Sequence, residues 1–547
     1  MSDEPKSTPR KPRVAFKLLA VLLGLAPFVV LEIAFRMLGV GETAGGSDTF
    51  AGFGSNIPVF EREDDRFVTS KTRMPFLPEQ SFAANKPPKG FRAFCFGGST
   101  VHGRPYESDT AFPKWLEIEL AATNPERSVE VVNCGGISYA SYRIVPMLRE
   151  IVDYQPDLIV IATGHNEFLE DRTYHSLKER SAARSWIDNL AASSRIVSVG
   201  RGIVRGKSVA EAHVNPDRDA DFDTRLDLET GYASYHRDAE WHARVLEQFE
   251  EAVGMMVQIC AEKGVPLVFV NLGSNVRDCA PYKTEHRAEM TANDERRWRD
   301  AFNWATSLEK AGELDEALKR YREAEAIDPQ YALVQWRIAR CLDRLKRGKE
   351  AAKYYLLAKD EDVCPLRMLD QQYAFFQKIA SETKAPLVDA RAWLEAQSPD
   401  GIPGNDWYLD HVHPTIGGHQ EIAAAIAETL REIGILPFKH EWTGQARREA
   451  FAAHFESLSP VYLGNGRRRL EWLETWANRT RLANETEPVD ARGHLHAGFR
   501  YLDFGEQGKA RDALRRAIKL DPAMADELEA HRARLKAQGR EMSIDLN

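Results

Sequence analysis

The chain has 547 residues, of which 43% are hydrophobic and 28% charged, and its formal net charge is −9. That length calls for two or three domains, and the composition is that of a folded protein, not a disordered one. A net-negative chain without a broad basic surface argues against nucleic acid as a partner.

The N-terminus stands apart from this average. Lys6, Arg10, Lys11, Arg13 and Lys17 crowd together, and LLAVLLGLAPFVVL (Leu18 to Leu31) follows without a charge. A basic flank before an apolar run is what the export machinery reads, and the basic side stays in the cytoplasm. The uncharged core falls short of the ~20 residues of a full span. Counting from Val14 to Val40 supplies the length if Glu32 and Arg36 snorkel at the outer interface. The expectation is a basic tail over 1–13, an uncleaved single-pass signal anchor over 14–40 and a linker over 41–88, with everything after the anchor outside the cytoplasm. A cleaved signal peptide, with ETAGG as its cleavage stretch, is the alternative.

From Phe91 onward strands and helices alternate. RAFCFGG (Arg92 to Gly98) reads as a buried strand. A helix follows, with Thr110 as N-cap and Pro113 in its first turn. VEVVNCGG is the second strand and precedes a helix around Tyr142 to Tyr154. DLIVIATG is the third strand. A long polar region runs to about Arg237 and a helix to Glu262; VPLVFVNLG and APLVDA are the fourth and fifth strands. Near-continuous apolar strands separated by helices predict a parallel sheet covered on both faces. In such sheets ligands bind at the carboxyl ends of the strands.

Between the fourth and fifth strands a repeat appears. Ala317, Tyr321 and Ala324 recur as Ala351, Tyr355 and Ala358, an offset of thirty-four residues. That is the tetratricopeptide period: small residues where two helices cross, an aromatic filling the gap, Gly312 at the turn and Pro329 after the second helix. A third copy carries Gly505, Ala510, Leu514, Ala517 and Pro522. Such repeats often hold a protein partner; here a structural wall beside a site is an equal reading. The six cysteines show no CxxC spacing, so no zinc ribbon is indicated. Cys95, Cys134 and Cys260 read as core; Cys279 and Cys364 flank the helical insert and would pair only in an oxidising compartment with suitable geometry.

Three polar clusters sit at strand ends. FCFGGST puts Ser99 after a buried strand, at a sharp turn that two glycines permit, where a nucleophile would stand. GHNEF, Gly164 to Phe168, ends the third strand. DWYLDHVHPT holds Asp410 and His413 three residues apart before a helix from Ile416. An acid can orient a catalytic imidazole over that spacing. Metal chemistry is the competing reading, with Asp410, His411, His413 and His419 as ligands, or His165, Glu167, His411 and His413 in a metallophosphoesterase.

GGST after the first strand, an Asn-containing segment after the second, G-x-N after the third and a late D-x-x-H together resemble the SGNH (GDSL-like) hydrolases. GHNEF, RDCAPYK, CPLR and DHVHPT are similar to a membrane-anchored bacterial subgroup with embedded tetratricopeptide repeats, which places the anchor in a bacterial inner membrane. The resemblance covers 89–275 and 366–436, with 276–365 as a tetratricopeptide-like insert and 437–547 as a C-terminal helical region. It implies an α/β, flavodoxin-like three-layer sandwich and an ester hydrolase without cofactor or metal. Its substrate would be an O-ester such as an acylated envelope glycan or lipid. Ser99 would be the nucleophile, His413 the base and Asp410 its orienting acid. The oxyanion hole would use the Ser99 N–H, the Asn166 side chain and an N–H from the second block, where Ser138 stands in place of the family's Gly and Gly136 is the alternative. Gly164 would give clearance beside Asn166. His165, Arg277 and Arg367 are candidates for the substrate pocket. The alternatives kept open are an O-acyltransferase using the same triad and a membrane-tethered repeat scaffold on a residual hydrolase fold.

Overall fold

A computed structural model describes residues 58–178, 234–436, 439–440, 442–480, 491–503 and 507–537, with isolated positions at 27, 30, 31, 34, 544 and 546. Almost all of the expected anchor, and the polar region before Arg237, lie outside the described residues. Among the described residues no helix is long and apolar enough to cross a membrane.

The segment expected as a linker is not one throughout. Strands β1 (Phe60–Glu63), β2 (Arg66–Thr69) and β3 (Ser81–Ala83) form a three-stranded antiparallel sheet. Phe60, Phe67 and Phe82 gather in an aromatic cluster with Tyr154, and Phe82 meets Phe94 edge-on at 5.3 Å. Short charged stretches around single aromatics hid these strands, because their burial depends on a partner distant in sequence.

The main sheet contains β4 (Phe91–Gly97), β5 (Val129–Gly135), β6 (Leu158–Ala162), β7 (Leu267–Val270) and β8 (Leu387–Val388). All neighbours are parallel, in the order β5-β4-β6-β7-β8. This is the 2-1-3-4-5 order of flavodoxin-like sheets. Alternate residues face opposite layers. Ala93, Cys95, Val160 and Val268 meet one layer, in which α2 (Phe112–Thr123) follows the short helix α1 (Ser99–His102). Phe94 and Phe269 face the other layer, which holds α3 (Ser141–Ile151) and the long helix α5 (Ala239–Lys263); α4 (Glu167–Lys178) precedes α5. The parallel sheet covered on both faces that the strand pattern predicts is present, as the three-layer sandwich that the resemblance implies.

One local expectation fails. Thr110 does not cap α2: its N-cap is Ala111, without a side-chain bond. Thr110 instead sits in a 3₁₀ turn with its hydroxyl 3.1 Å from Tyr462 Oη, and the Phe112 N–H is taken by His419 Nδ1 at 3.2 Å. Tertiary partners replace the local cap.

Between β7 and β8 the chain leaves the sheet as α6 (Ala292–Ala311), α7 (Leu314–Ile327), α8 (Ala332–Arg344) and α9 (Gly348–Asp360), and returns through α10 (Asp370–Thr383). Ala317, Ala324, Ala351, Ala358, Tyr321 and Tyr355 are all buried in one cluster of this insert. Tyr321 Oη donates to Glu309 at 2.8 Å, which satisfies a hydroxyl that burial would otherwise leave costly. Beyond β8 come α11 (Ala390–Gln397), α12 (Ile416–Glu432), α13 (Gly444–Ser457), α14 (Pro460–Thr480), α15 (Ala491–Asp503), α16 (Gln507–Leu520) and α17 (Met524–Ala537). Ala510, Leu514 and Ala517 of the third repeat are buried; Gly505 lies outside the described residues. All six cysteines are buried free thiols, Cys279 and Cys364 within one apolar cluster.

The end of β4 tolerates no side chain at Gly97, where a Cβ would lie 2.0 Å from the Ala162 carbonyl oxygen and 2.4 Å from Val101 Cγ2. Gly97→Ala should therefore force β4 and β6 apart. The expected outcome is a loss of ~1–3 kcal/mol or more, as for other overpacked cores, read as a lower denaturation midpoint. An unchanged midpoint would contradict this packing.

Candidate active site

Sheet register brings the strand-end loops together. Gly97 of β4 pairs with Gly135 of β5 and with Ala162 of β6, so the turns after these three strands lie side by side. The late loop 409–414 joins them from near the end of the fold. It is a tight turn: Tyr408 bridges Pro414, the Leu409 N–H donates to the His413 carbonyl at 2.8 Å, and Thr415 caps α12 through the Gly418 N–H.

Ser99, His413 and Asp410 meet there. Ser99 Oγ is 2.7 Å from His413 Nε2, and His413 Nδ1 is 2.6 Å from Asp410 Oδ2. Asp410 Oδ1 accepts the N–H groups of Val412 and His413 at 2.9 and 2.8 Å. Burial alone would raise the Asp410 pKa. The charges of His413 and His411 and the hydrogen bonds from His413 outweigh it and hold the carboxyl well below the usual carboxylate range. An ionised Asp410 fixes His413 with Nδ1 protonated, which leaves Nε2 to accept a proton from Ser99.

Asn166 stands next to this row. Its Nδ2 donates one hydrogen to the Tyr139 carbonyl at 3.2 Å and keeps a second. A Cβ on Gly98 would sit 2.4 Å from that nitrogen, so glycine at 98 is what lets the amide come up to the Ser99 turn. The Ser99 N–H opens α1 and has no partner among the described residues.

The two second-block candidates part company. The Gly136 N–H donates to the Gly97 carbonyl at 2.9 Å, which extends the ladder between β5 and β4. It is therefore not free to hold an oxyanion, a correction to that candidate. The Ser138 N–H takes no partner among the described residues, and Ser138 is held at φ 58°. Asn133, the polar residue ahead of this loop, is spent on structure: its Nδ2 donates to the Val101 carbonyl at 2.7 Å and its Oδ1 accepts the Gly135 N–H.

The remaining candidates are supports, not pocket walls. Gly164 has φ 132°, and a Cβ there would lie 2.9 Å from Met368 Sδ, so its clearance serves Met368. His165 is buried, and its Nδ1 accepts the Met368 N–H at 3.0 Å. Arg277 is buried against Asp343 at 2.8 Å, Asp400 and the Ile402 carbonyl. Arg367 is buried with Asp362 and donates to the carbonyls of Asn275 and Cys279 at 3.0 and 2.8 Å. Both guanidinium charges are matched inside the protein, so the expectation that they belong to the substrate pocket is corrected: they tie the helical insert to the loops after β7. Glu167, a ligand in the competing metal reading, instead caps α3, accepting the Ser141 N–H at 2.9 Å and hydroxyl at 2.8 Å. Among the described residues no group of three or more His, Cys, Asp and Glu side chains could hold a metal ion. His411, a ligand in the competing metal reading, instead lies with its Nδ1 3.5 Å from Asp410 Oδ1.

The tetratricopeptide repeat family matches residues 308–363. No curated protein matches the chain in sequence. Among solved structures the chain is similar to Axe2, an acetylxylan esterase from Geobacillus stearothermophilus, at 14% identity and a TM-score of 0.28, covering 64% of this chain and 97% of that one. It is also similar to a GDSL-like lipase from Bacteroides thetaiotaomicron, at 11% identity and a TM-score of 0.26, over 64% of this chain and 92% of that one. LAE5, an α/β hydrolase enzyme from the metagenome of Lake Arreo, Spain, is similar at 14% identity and a TM-score of 0.27, over 64% and 98%. With identities this low, what the site does must be read from its own residues.

Burial holds two histidines near His413 neutral. His165 is lowered to about 3 by burial and by the nearby charges of His411 and His413. His419 is lowered to about 3 by burial and His413. In the unfolded chain each takes a proton near ~6.5. Below that pH the unfolded state binds more protons than the fold, so stability falls as pH drops from about 6.5 towards 3. Thermal unfolding should show a falling midpoint over that window, and His419→Asn, which keeps an acceptor for the Phe112 N–H, should flatten the fall. A flat midpoint in the parent protein would contradict it.

Proposed function

We propose that the chain is a serine-dependent ester hydrolase of the SGNH type. The observation that carries this reading is the continuous line from Ser99 Oγ through His413 to the Asp410 carboxylate, at 2.7 and 2.6 Å. Ser99 attacks the ester carbonyl as its proton passes to His413 Nε2. The imidazolium that forms is stabilised by Asp410, which stays ionised. Negative charge develops on the carbonyl oxygen, beside the Ser99 N–H, the Ser138 N–H and the second Nδ2 hydrogen of Asn166. His413 then returns the proton to the leaving alkoxide, and an acyl-Ser99 ester remains. Water, deprotonated by His413, attacks that ester and releases the acid.

The substrate we infer is an O-acyl ester carried by an envelope glycan or lipid, consistent with an N-terminal anchor that sets the catalytic domain outside the cytoplasm. The tetratricopeptide match supports a protein partner for the insert.

p-Nitrophenyl acetate tests the chemistry. The full chain should hydrolyse it with or without chelator, and Ser99→Ala should abolish turnover and labelling by a fluorophosphonate. Asn166→Ala should lower kcat by ~10²–10³, the usual loss for one oxyanion donor, with KM little changed. Chelator-sensitive turnover that survives Ser99→Ala would overturn the reading in favour of a metal site.

A further inference from the structure

Asn166 is carried on a loop whose other residues are held from outside the sheet. Gln372 Nε2 donates to the Gly164 carbonyl at 2.9 Å, and the Met368 N–H donates to His165 Nδ1 at 3.0 Å. Both clamps come from the segment that leaves the helical insert and enters α10. That segment is fastened in turn by Lys359, in the last helix of the insert. Its side chain is 1% exposed, and the ammonium directs its three hydrogens to the Met368 carbonyl at 2.9 Å, Asp360 at 2.7 Å and Asp370 at 3.1 Å. A buried ammonium is costly unless fully satisfied, so it is a stiff fixture. Met368 is thus gripped at both ends of its backbone: the carbonyl by the insert, the N–H by the residue preceding Asn166.

From this geometry we infer that Lys359 and His165 are positioning residues for the Asn166 oxyanion donor, which makes the helical insert part of the catalytic apparatus. The inference rests on the ester-hydrolase reading above. His165 has no chemical step; it sets where the Asn166 amide stands. Because Nδ1 accepts a hydrogen bond from the Met368 N–H, the neutral ring carries its proton on Nε2. A misplacement of about 1 Å is enough to cost ~10²-fold in rate.

The test uses the full chain and two readouts. His165→Leu removes the acceptor and should lower kcat about tenfold to a hundredfold with KM little changed. His165→Asn, which offers an oxygen near the Nδ1 position, should recover most of it. Lys359→Met should act in the same direction. The double variant His165→Leu/Asn166→Ala should be no slower than Asn166→Ala alone, since positioning is lost once the donor is gone. Hydrogen–deuterium exchange should rise over residues 164–170 in Lys359→Met and not over β4. Losses that multiply in the double variant, or unchanged exchange over 164–170, would sink the inference. A parent enzyme with no Ser99-dependent turnover would sink the hydrolase reading, and exchange would still show whether Lys359 holds the loop.

Discussion

The site depends on one buried carboxylate. Asp410 carries a charge in a position where isolation would be prohibitive, and the surrounding chain is arranged to satisfy it. The two N–H groups on Oδ1 and the imidazole on Oδ2 both answer the charge and shape the turn. The same three contacts that make the ion tolerable bring His413 to Ser99. The geometry of the loop and that of the Ser99–His413–Asp410 row are therefore not separate achievements. A chain that folded the loop without the carboxylate would lose the imidazole's tautomer along with its position.

The second constraint is closeness at the strand ends. Gly97 and Gly98 are glycines because the Ala162 carbonyl and the Asn166 amide occupy the space a side chain would need. This crowding is what brings the Ser99 turn and the Asn166 amide, which follow neighbouring parallel strands, close together at one end of the sheet. The insert then reaches the same point from the side. It interrupts the fold between β7 and β8, where the sheet can accept an excursion because β8 pairs with β7 through only a short register. Arg277, Arg367 and Lys359, all buried and all paired, weld the excursion back to the loops it left. Three buried cations are an expensive joint, and each would be strongly destabilising if its partner were removed.

What was legible in the sequence was local. Ser99 announced itself by its glycines and its strand, Asp410 and His413 by their spacing, and the repeats by recurrence of Ala317, Tyr321 and Ala324 thirty-four residues on. The parallel sheet was legible because strands buried on both faces are continuously apolar. What could not be read was decided by partners far away in the chain. Gly136 looked like a free donor until the ladder claimed its N–H. Arg277 and Arg367 read as pocket residues because arginine between loops has no local signature of its partner. Phe60, Phe67 and Phe82 are single aromatics in charged surroundings, and only the sheet they form reveals them. Thr110 lost its cap to His419 and Tyr462 by the same logic.

Ser138 is where these two kinds of information collide. A serine at φ 58° pays for a conformation that glycine adopts freely, on the order of 1 kcal/mol. The surrounding contacts hold it there: the Ile137 N–H bonds the Phe76 carbonyl at 2.9 Å and the Tyr139 N–H bonds the Gly136 carbonyl at 3.1 Å, one on each side. The N–H left between them is the one that points to neither. Tyr139, next in line, offers its carbonyl to the Asn166 amide. The left-handed residue thus turns the chain so that one peptide leaves a donor unspent while the following carbonyl orients a second donor. The departure from glycine changes the side chain at this turn and keeps the left-handed backbone that leaves the Ser138 N–H unspent.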